Sequence, residues 1–348
     1  MKTLLPIVGV AALALTAGQA QAQGARDQIW AAGSSTVFPF TTRVAENYAR
    51  KSGKKAPKVE SLGTGGGFKA FCGGMGAAFP DIANASRPMK RSEYDACVAK
   101  GVKDIIQIRI GHDGIVVAGD KDGADYSFKI EHLHQALSQN VMRNGAWVQN
   151  PYVTWNQIGA GLPGNRIVVY GPPPTSGTRD AFLELGIQAG ARKYPVIEEF
   201  RSNNEKGFTA KVDPLRSDGA WIDAGENDNA IVQTLTRTPG SLGVFGYSFL
   251  EENGDKVKGM PINGVRPNAE TIGNGSYPLA RSIFIYVKKG MLGVTPGLKE
   301  FIAEYTSDAA MGKGGYLQQR GLIPLAPAQL AAQRNTATQG AVLARPAS

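Results

Sequence analysis

Four short stretches rich in Ser, Thr or Gly contain the residue types in this chain that are best suited to bind a small anion. They are residues 33–39 (GSSTVFP), 63–67 (GTGGG), 84–88 (NASRP) and 175–179 (TSGTR), each where a predicted strand runs into a predicted helix. The first N–H groups of a helix have no partner inside it and carry roughly half a positive charge. A single Ser or Thr at such a position is an ordinary helix cap. Four such loops together predict a shared site for an oxyanion.

The sequence gives little support to catalysis. It lacks the Gly-x-x-x-x-Gly-Lys-Ser/Thr pattern of a nucleotide-binding loop and the Gly-x-Ser-x-Gly pattern of a hydrolase elbow. His132 and His134 could bind a metal from one face of a strand, but their helical, charged setting predicts surface histidines. His112 and Asp113 are adjacent, and adjacent side chains rarely reach one site. We therefore predict no catalytic residue, no metal site and no cofactor.

The charge balance fits a small anionic ligand better than a nucleic acid. The chain has 348 residues and a net charge of +9. Its densest basic group, within residues 51–58, lies in a loop with Gly and Pro and without aromatic residues, which indicates a solvated loop. A positive field raises the encounter rate with an anion. We therefore expect no nucleic-acid partner.

Residues 1–22 are typical of a secretory signal peptide. Lys2 supplies the positive charge, residues 4–16 the apolar core, and Ala20-Gln21-Ala22 the cleavage site. The apolar core is too short for a convincing membrane span of about 20 apolar residues, and no later segment approaches that length. The cleavage site has no Cys to carry a lipid. We predict a free periplasmic protein, cleaved near Ala22.

The only two cysteines, Cys72 and Cys97, lie in the exported part of the chain. An oxidising compartment favours a disulfide between them, and two buried free thiols are the alternative. No Cys-x-x-Cys is present, so a catalytic pair is not indicated.

The order of predicted elements indicates two α/β domains. Strands alternate with helices in units of about 30 residues, which predicts a parallel sheet with ligands beyond the carboxyl ends of its strands. Residues 105–110 and 114–118 are β-rich, and the strand predicted at 283–288 could pair with 114–118. That pairing makes the first domain discontinuous, with two chain crossings as a hinge. The predicted units are residues 23–117 with 251–330 as lobe 1, residues 118–250 as lobe 2, and a disordered tail at 331–348.

The same motifs, with the additional stretch 277–281 (YPLAR), resemble the PstS-type phosphate-binding subunits of phosphate ABC importers. Each motif alone is weak, but five occur in the family's order between about Ile29 and Leu325. The resemblance implies a type II periplasmic binding protein: two α/β lobes joined by a two-crossover hinge, with the ligand in the cleft. It further implies a monomer that captures inorganic phosphate and delivers it to a membrane permease.

The resemblance also implies a set of ligand residues, carried over position by position. From the first three loops these are Ser35, Thr36, Val37, Phe38, Thr64 and Ser86, and from the far lobe Ser176, Gly177 and Thr178.

Two positions depart from the best-known branch of the family, which has Asp at position 86 and Arg at position 172, where this chain has Ser86 and Pro172. That aspartate accepts a proton from phosphate and thereby excludes sulfate, which has none. Arg87 and Arg179 are the candidate guanidinium groups, because an arginine fork matches a tetrahedral oxyanion. Arg87 could instead be a surface residue, and Arg179 could pair with Asp180 or Glu184. Asp113 and Asp180 are the candidate substitute acceptors.

The sequence therefore favours a non-enzymatic binding protein for phosphate. A binder of sulfate or another tetrahedral oxyanion is the first alternative, because the expected aspartate is missing. A secreted phosphate-ester hydrolase or an adhesin on the same fold is the second.

Overall fold

The computed structural model describes residues 26–174, 176–225 and 227–347. The predicted signal peptide and Thr175 of the fourth stretch lie outside these residues. None of the helices in the described segments has the length and apolar character needed to cross a membrane.

Three strand-to-helix units begin the chain. They are β1 (Trp30–Gly33) with α1 (Phe38–Ser52), β2 (Lys58–Ser61) with α2 (Gly63–Phe71), and β3 (Ile82–Ala85) with α3 (Arg91–Ala99). Because β1 pairs in parallel with both β2 and β3, the loops that follow these strands lie at one edge of the sheet. Pro39 lies in the first turn of α1, and Gly53 ends that helix with a φ of 68°. These units confirm the predicted α/β class.

The remaining strands are β4 (Ile105–Asp120), β5 (Asn140–Arg143), β6 (Ala146–Gln149), β7 (Val169–Gly171), β8 (Trp221–Asp223), β9 (Leu242–Gly246), β10 (Val257–Gly259) and β11 (Ala280–Lys288). The remaining helices are α4 (Ile130–Leu137), α5 (Gly177–Phe182), α6 (Ala189–Ala191), α7 (Pro195–Asn203), α8 (Glu205–Val212), α9 (Asp228–Leu235), α10 (Tyr247–Glu252), α11 (Ala269–Gly273), α12 (Leu298–Tyr305), α13 (Asp308–Met311) and α14 (Pro327–Gln339). A π-helical turn, Leu183–Gln188, joins α5 to α6, and short 3₁₀ helices occupy Trp155–Gln157, Lys289–Met291 and Gln318–Arg320.

Within the described chain, nine strands form one mixed sheet in the order β2-β1-β3-β11-β4-β9-β7-β8, and β10 also pairs with β4. The strands β5 and β6 form a separate hairpin. On the β9 side of the sheet, β7 pairs in parallel with both β8 and β9. The carboxyl ends of these strands form a second group, which faces the carboxyl ends of β1, β2 and β3 across β4.

The long strand β4 connects the two sides of the sheet. Its residues 105–114 pair with β11 and its residues 115–119 pair with β9. Both β-rich stretches, 105–110 and 114–118, therefore lie in one strand. The predicted pairing of 283–288 with 114–118 is wrong, because 283–288 pairs with 105–111. Gly111 lies inside β4 because the neighbouring chain packs closely there: a Cβ at this position would lie 2.8 Å from the carbonyl oxygen of Ile323.

The apolar residues form two large buried clusters and a smaller one. The first includes Trp155, Phe182 and Phe245, and the second lies between α1, α12 and the β1 side of the sheet. The third surrounds Cys97. Val257, from the stretch 251–330 that the sequence assigns to lobe 1, packs in the first cluster with β9. The division of the chain into lobes stays a prediction.

Residues 331–339 of the predicted disordered tail are helical, because α14 runs to Gln339 and packs on the molecule. Ser348 lies outside the described residues. Leu330 is buried in the second cluster, and Arg334 donates to the Thr306 carbonyl at 3.1 Å. The Leu343 amide donates to the Ile105 carbonyl at 2.7 Å. A few tertiary contacts, rather than a broad apolar face, hold this helix. The sequence of the segment therefore shows no apolar periodicity.

The predicted disulfide between Cys72 and Cys97 is confirmed. The two residues are 25 positions apart, a loop length for which chain-entropy models give about 3 kcal/mol. The bond joins the end of α2 to α3 and so fixes the segment between the second and third Ser/Thr/Gly stretches.

Gly67 tests how closely α2 packs on the sheet. A Cβ at Gly67 would lie 2.4 Å from the Cα of Gly33, whereas a Cβ at Gly65, in the same helix, meets nothing within 4 Å. We expect Gly67→Ala to lower the free energy of unfolding by about 1–3 kcal/mol through overpacking. Gly65→Ala should raise it by up to about 1 kcal/mol through helix propensity. Urea unfolding measures both, and equal stability of the two variants would contradict this packing.

Candidate functional site

The loop between β1 and α1 is held by contacts of its own backbone. Gly33 precedes it, where only glycine fits, because a Cβ would lie 2.2 Å from the carbonyl oxygen of Asn84. Ser34 is buried; its carbonyl accepts from the Phe38 amide at 3.0 Å and its Oγ from the Val37 amide at 3.4 Å. The amides of Val37 and Phe38, two residues that the resemblance assigns to the ligand, are therefore bonded within the loop.

The opposite loop begins α5. Ser176 is the N-cap residue, and its Oγ accepts from the Thr178 amide at 3.2 Å. The helix continues through the π-helical turn Leu183–Gln188, a distortion that often occurs near functional sites. Ser176 and Thr178 thus lie at a helix start, as the sequence predicts.

The two loops touch each other across the cleft. The Ser35 hydroxyl donates to the Asp180 carboxylate at 2.5 Å, and the Thr36 hydroxyl donates to the Gly177 carbonyl at 3.2 Å. Gly177 allows this approach, because a Cβ there would lie 2.7 Å from the carbonyl carbon of Ser35. The hydroxyls that the sequence assigns to an anion therefore bond to acceptors of the opposite loop.

A cavity of about 280 Å³ lies beside this contact. Six predicted site residues line it: Ser35, Thr36, Phe38, Ser176, Gly177 and Thr178. Further polar and charged lining residues, to which the sequence gave no place in the ligand set, are Asp113, Asp228, Ser248 and Arg320. The lining combines hydroxyl donors from both sides of the cleft with two carboxyl groups and one guanidinium.

Five predicted site residues lie outside the lining of this cavity: Val37, Thr64, Ser86, Arg87 and Arg179. The hydroxyls of Thr64 and Ser86 are 2.9 Å apart, and the Ser86 amide donates to Thr64 at 3.1 Å. Arg87 forms two bonds to the Glu93 carboxylate, at 2.7 and 2.9 Å, and this partner raises the pKa of Arg87. The second and third loops therefore bond to each other and to α3.

Arg179, the other predicted guanidinium, is held on its own side of the cleft. It donates to Asp223 at 2.5 Å and to the Pro172 carbonyl at 3.2 Å, and it lies 5.0 Å from the centre of the Trp221 ring. Its carboxylate partner is thus neither Asp180 nor Glu184, the two partners considered from the sequence. Arg179 is not among the residues that line the cavity.

Arg281 is a site residue that the sequence reasoning missed. Its side chain, only 8% exposed, donates to the Thr36 hydroxyl at 2.8 Å and to the Glu184 carboxylate at 2.5 Å. Because a guanidinium only donates, the Thr36 oxygen must accept from it, and the Thr36 proton is left to point elsewhere. Arg281 therefore orients Thr36 as a donor. Its signal in the sequence is its place in the stretch 277–281 (YPLAR), one of the five motifs that carry the resemblance.

Asp113 lies in β4, near the predicted chain crossing. It lines the cavity, and its Oδ2 atom is shielded from solvent without a hydrogen-bond partner in the described segments. The Arg281 Nε atom is 3.7 Å from Oδ2. Burial raises the pKa of Asp113, and the positive charge of Arg281 opposes that shift. This carboxyl group can therefore bond to a group inside the cavity.

The histidines are not surface residues, contrary to the expectation for His132 and His134. His132 is buried, and its Nδ1 accepts from the Lys129 amide at 3.1 Å. His134 is buried beside Ser138, and burial lowers its pKa to about 4. Both lie on α4, which is buried over most of its circumference, because Ile130, Leu133, Ala136 and Leu137 are buried as well. Among the described residues, no cluster of three or more His, Cys, Asp or Glu could hold a metal ion.

Comparisons with known proteins agree with the α/β architecture. A family model described as a PBP superfamily domain matches residues 18–309. Protein SphX of Synechococcus elongatus is 33% identical over 328 residues, which cover 92% of this chain and 84% of the relative. A phosphate-binding protein PstS of Staphylococcus epidermidis is 30% identical and covers 78% of this chain and 71% of its own length.

A solved structure is also similar over most of the chain. The crystal structure of a possible phosphate binding protein from Planctomyces limnophilus has a TM-score of 0.71 and 27% sequence identity, and the match covers 90% of this chain and 98% of that one.

Gly177→Ala tests whether the contact between the two loops belongs to the binding state. The added Cβ would meet the backbone of Ser35 and Thr36 at 2.7–2.8 Å, so the loops must separate. We expect affinity for phosphate, the anion that the resemblance implies, to fall at least about tenfold by calorimetry, equivalent to about 1.4 kcal/mol. Gly273→Ala, whose Cβ meets nothing within 4 Å, is the control. Unchanged binding by Gly177→Ala would show that closure does not need this contact.

Proposed function

Because the chain belongs to the PBP superfamily, we propose that it is a periplasmic solute-binding protein that captures inorganic phosphate for an ABC importer. The similarity to a PstS phosphate-binding protein and to a possible phosphate binding protein of known structure supports phosphate as the ligand. The observation that carries the proposal is the cavity between the loops after β1 and before α5, where Ser35, Thr36, Ser176 and Thr178 converge. Hydroxyl donors at helix starts suit an oxyanion.

Binding would replace contacts within the protein by contacts with the anion. The Ser35 proton now bonds to Asp180, and the Thr36 proton to the Gly177 carbonyl. A phosphate oxygen is an acceptor of the same kind, so each hydroxyl can rotate toward it without losing a hydrogen bond. Arg281 keeps Thr36 a donor throughout. Release would follow when the two loops separate and water enters the cavity.

We assign discrimination between phosphate and sulfate to Asp113. A carboxylate beside a bound anion is repulsive in a poorly solvated cavity unless a proton lies between them. Hydrogen phosphate has such a proton, and sulfate does not. Asp113 lines the cavity, and the nearby Arg281 offsets part of the rise in pKa that burial causes for this carboxyl group. Asp180 is less suited, because it is not among the residues that line the cavity.

The remaining parts of the proposal follow from the family. We expect a monomer that docks on a membrane permease, works in the periplasm after removal of residues 1–22, and carries out no reaction on its ligand. The relatives named PstS are phosphate-binding proteins, which favours transport over a hydrolase or an adhesin.

Isothermal titration of the phosphate-stripped mature protein with phosphate and with sulfate tests the ligand and the role of Asp113. The unaltered protein should bind phosphate and give no heat with sulfate. Asp113→Asn removes the acceptor charge and adds an amide donor. It should weaken phosphate binding about 10- to 100-fold, the worth of a hydrogen bond to a charged group. It should also narrow the preference for phosphate, because an amide can donate to a sulfate oxygen.

Asp255→Asn is the matched control, because Asp255 is exposed and is not a lining residue of the cavity. It should bind both anions as the unaltered protein does. Equal binding of sulfate and phosphate by the unaltered protein would make the alternative, a general binder of tetrahedral oxyanions, the correct function. An unchanged preference for phosphate over sulfate in Asp113→Asn would show that another residue discriminates between the two anions.

A further inference from the structure

The arginines beside the cleft are already paired, with one exception. Three of them hold carboxylates: Arg87 with Glu93, Arg179 with Asp223, and Arg281 with Glu184. Arg320 lines the cavity, and its exposed side chain has no hydrogen-bond or ion-pair partner within residues 26–174, 176–225 and 227–347. It is also the only basic residue among the lining residues in that part of the chain. The free positive charge at the cavity is therefore Arg320.

The cavity needs such a charge when an anion enters it. Asp113 and Asp228 line the same space, so a bound oxyanion would bring further negative charge close to two carboxyl groups. Helix starts contribute only partial positive charge. Arg281 is committed to Thr36 and Glu184 and is not a lining residue. A guanidinium in contact with the anion would offset this repulsion.

The backbone near Arg320 is bonded to β4 and lies close to Ser248 at the start of α10. It ends the short helix Gln318–Arg320, and Gly321, with a φ of 92°, turns the chain directly after it. Ile323 and His112 then exchange backbone hydrogen bonds of 2.9 and 3.0 Å, which fixes this segment to β4 one residue before Asp113. Across the turn, a Cβ at Gly321 would lie 3.2 Å from the Ser248 hydroxyl.

The segment also passes between the two large apolar clusters. Leu322 is buried in the second cluster, and Ile323 is buried in the first. The base of the Arg320 side chain is therefore held between the two sides of the sheet, while its guanidinium is exposed at the cavity. A long side chain fixed at its base can reach an anion in the cavity by changing rotamers alone.

We propose that Arg320 is an anion-binding residue whose guanidinium folds over the cavity and contacts the phosphate oxygens. The proposal rests on the proposed function and adds to it the residue that supplies the positive charge. Arg320 takes the role that the sequence predicted for Arg87 and Arg179. The side chains of those two arginines are bonded to carboxylates outside the cavity. Two parallel N–H groups of one guanidinium match two oxygens of a tetrahedral anion, a geometry that a lysine does not reproduce.

Titration of phosphate into the full mature protein and three variants tests this assignment. Arg320→Gln should weaken phosphate binding about 10- to 100-fold, as for the loss of a charge-assisted hydrogen bond. The phosphate affinity of Arg320→Lys should lie between those of Arg320→Gln and the unaltered protein, because lysine keeps the charge but lacks the two parallel N–H groups of the guanidinium. Arg237→Gln is the matched control: Arg237 is exposed, has no side-chain partner in the described segments and does not line the cavity. It should bind as the unaltered protein does. Circular dichroism should show the same fold for all four proteins, because both arginines are exposed.

The outcomes distinguish a failure of the Arg320 assignment from a failure of the proposed function. Phosphate affinity of Arg320→Gln within about twofold of the unaltered protein, or equal losses in Arg320→Gln and Arg237→Gln, would overturn the assignment and leave the proposed function standing. Affinity of Arg320→Lys equal to that of the unaltered protein would also overturn it, because charge at a distance would then suffice. No phosphate binding by the unaltered protein would overturn the proposed function, and this inference with it.

Discussion

The strand β4 belongs to both sides of the sheet, and every wall of the cavity is positioned relative to it. Its first part pairs with β11, which carries Arg281, and its second part pairs with β9. Asp113 lies where one pairing gives way to the other, directly opposite Arg281 in the register. A change in the bend or twist of this one strand would move the two hydroxyl loops relative to each other. The predicted hinge and the proposed site therefore share one strand.

Contacts across the cleft show how an anion site can be closed without exposing unpaired donors. Ser35 and Thr36 bond to acceptors on α5, and Arg281 bonds to Glu184 on the following turn. A buried hydroxyl without a partner costs free energy, so each of these donors needs an acceptor in every state. Asp180 and the Gly177 carbonyl supply those acceptors at the positions where phosphate oxygens are proposed to lie. The proposed selectivity depends on two groups of the lining: Asp113, whose Oδ2 atom accepts no hydrogen bond in the described segments, and Arg320.

The sequence predicted the elements whose signals are local. Hydroxyl and glycine loops after strands, the α/β class and the Cys72–Cys97 bond needed only residue types and spacing. It failed where tertiary pairing decides. Whether Arg87 or Arg179 faces an anion depends on which carboxylate lies nearby, and Glu93 and Asp223 are not visible as partners in the sequence. Helix α14 forms because of contacts with distant residues, which periodicity does not record.

A crystal structure of the protein grown with phosphate tests the central claim most directly. The account predicts one phosphate between the loop after β1 and the start of α5, with oxygens within hydrogen-bonding distance of Ser35, Thr36, Ser176 and Thr178. The Ser35 hydroxyl should have turned from Asp180 to the anion, with Asp113 facing a phosphate oxygen. A phosphate bound instead at Thr64, Ser86 and Arg87, with the contacts between Ser35, Asp180 and Gly177 unchanged, would contradict it.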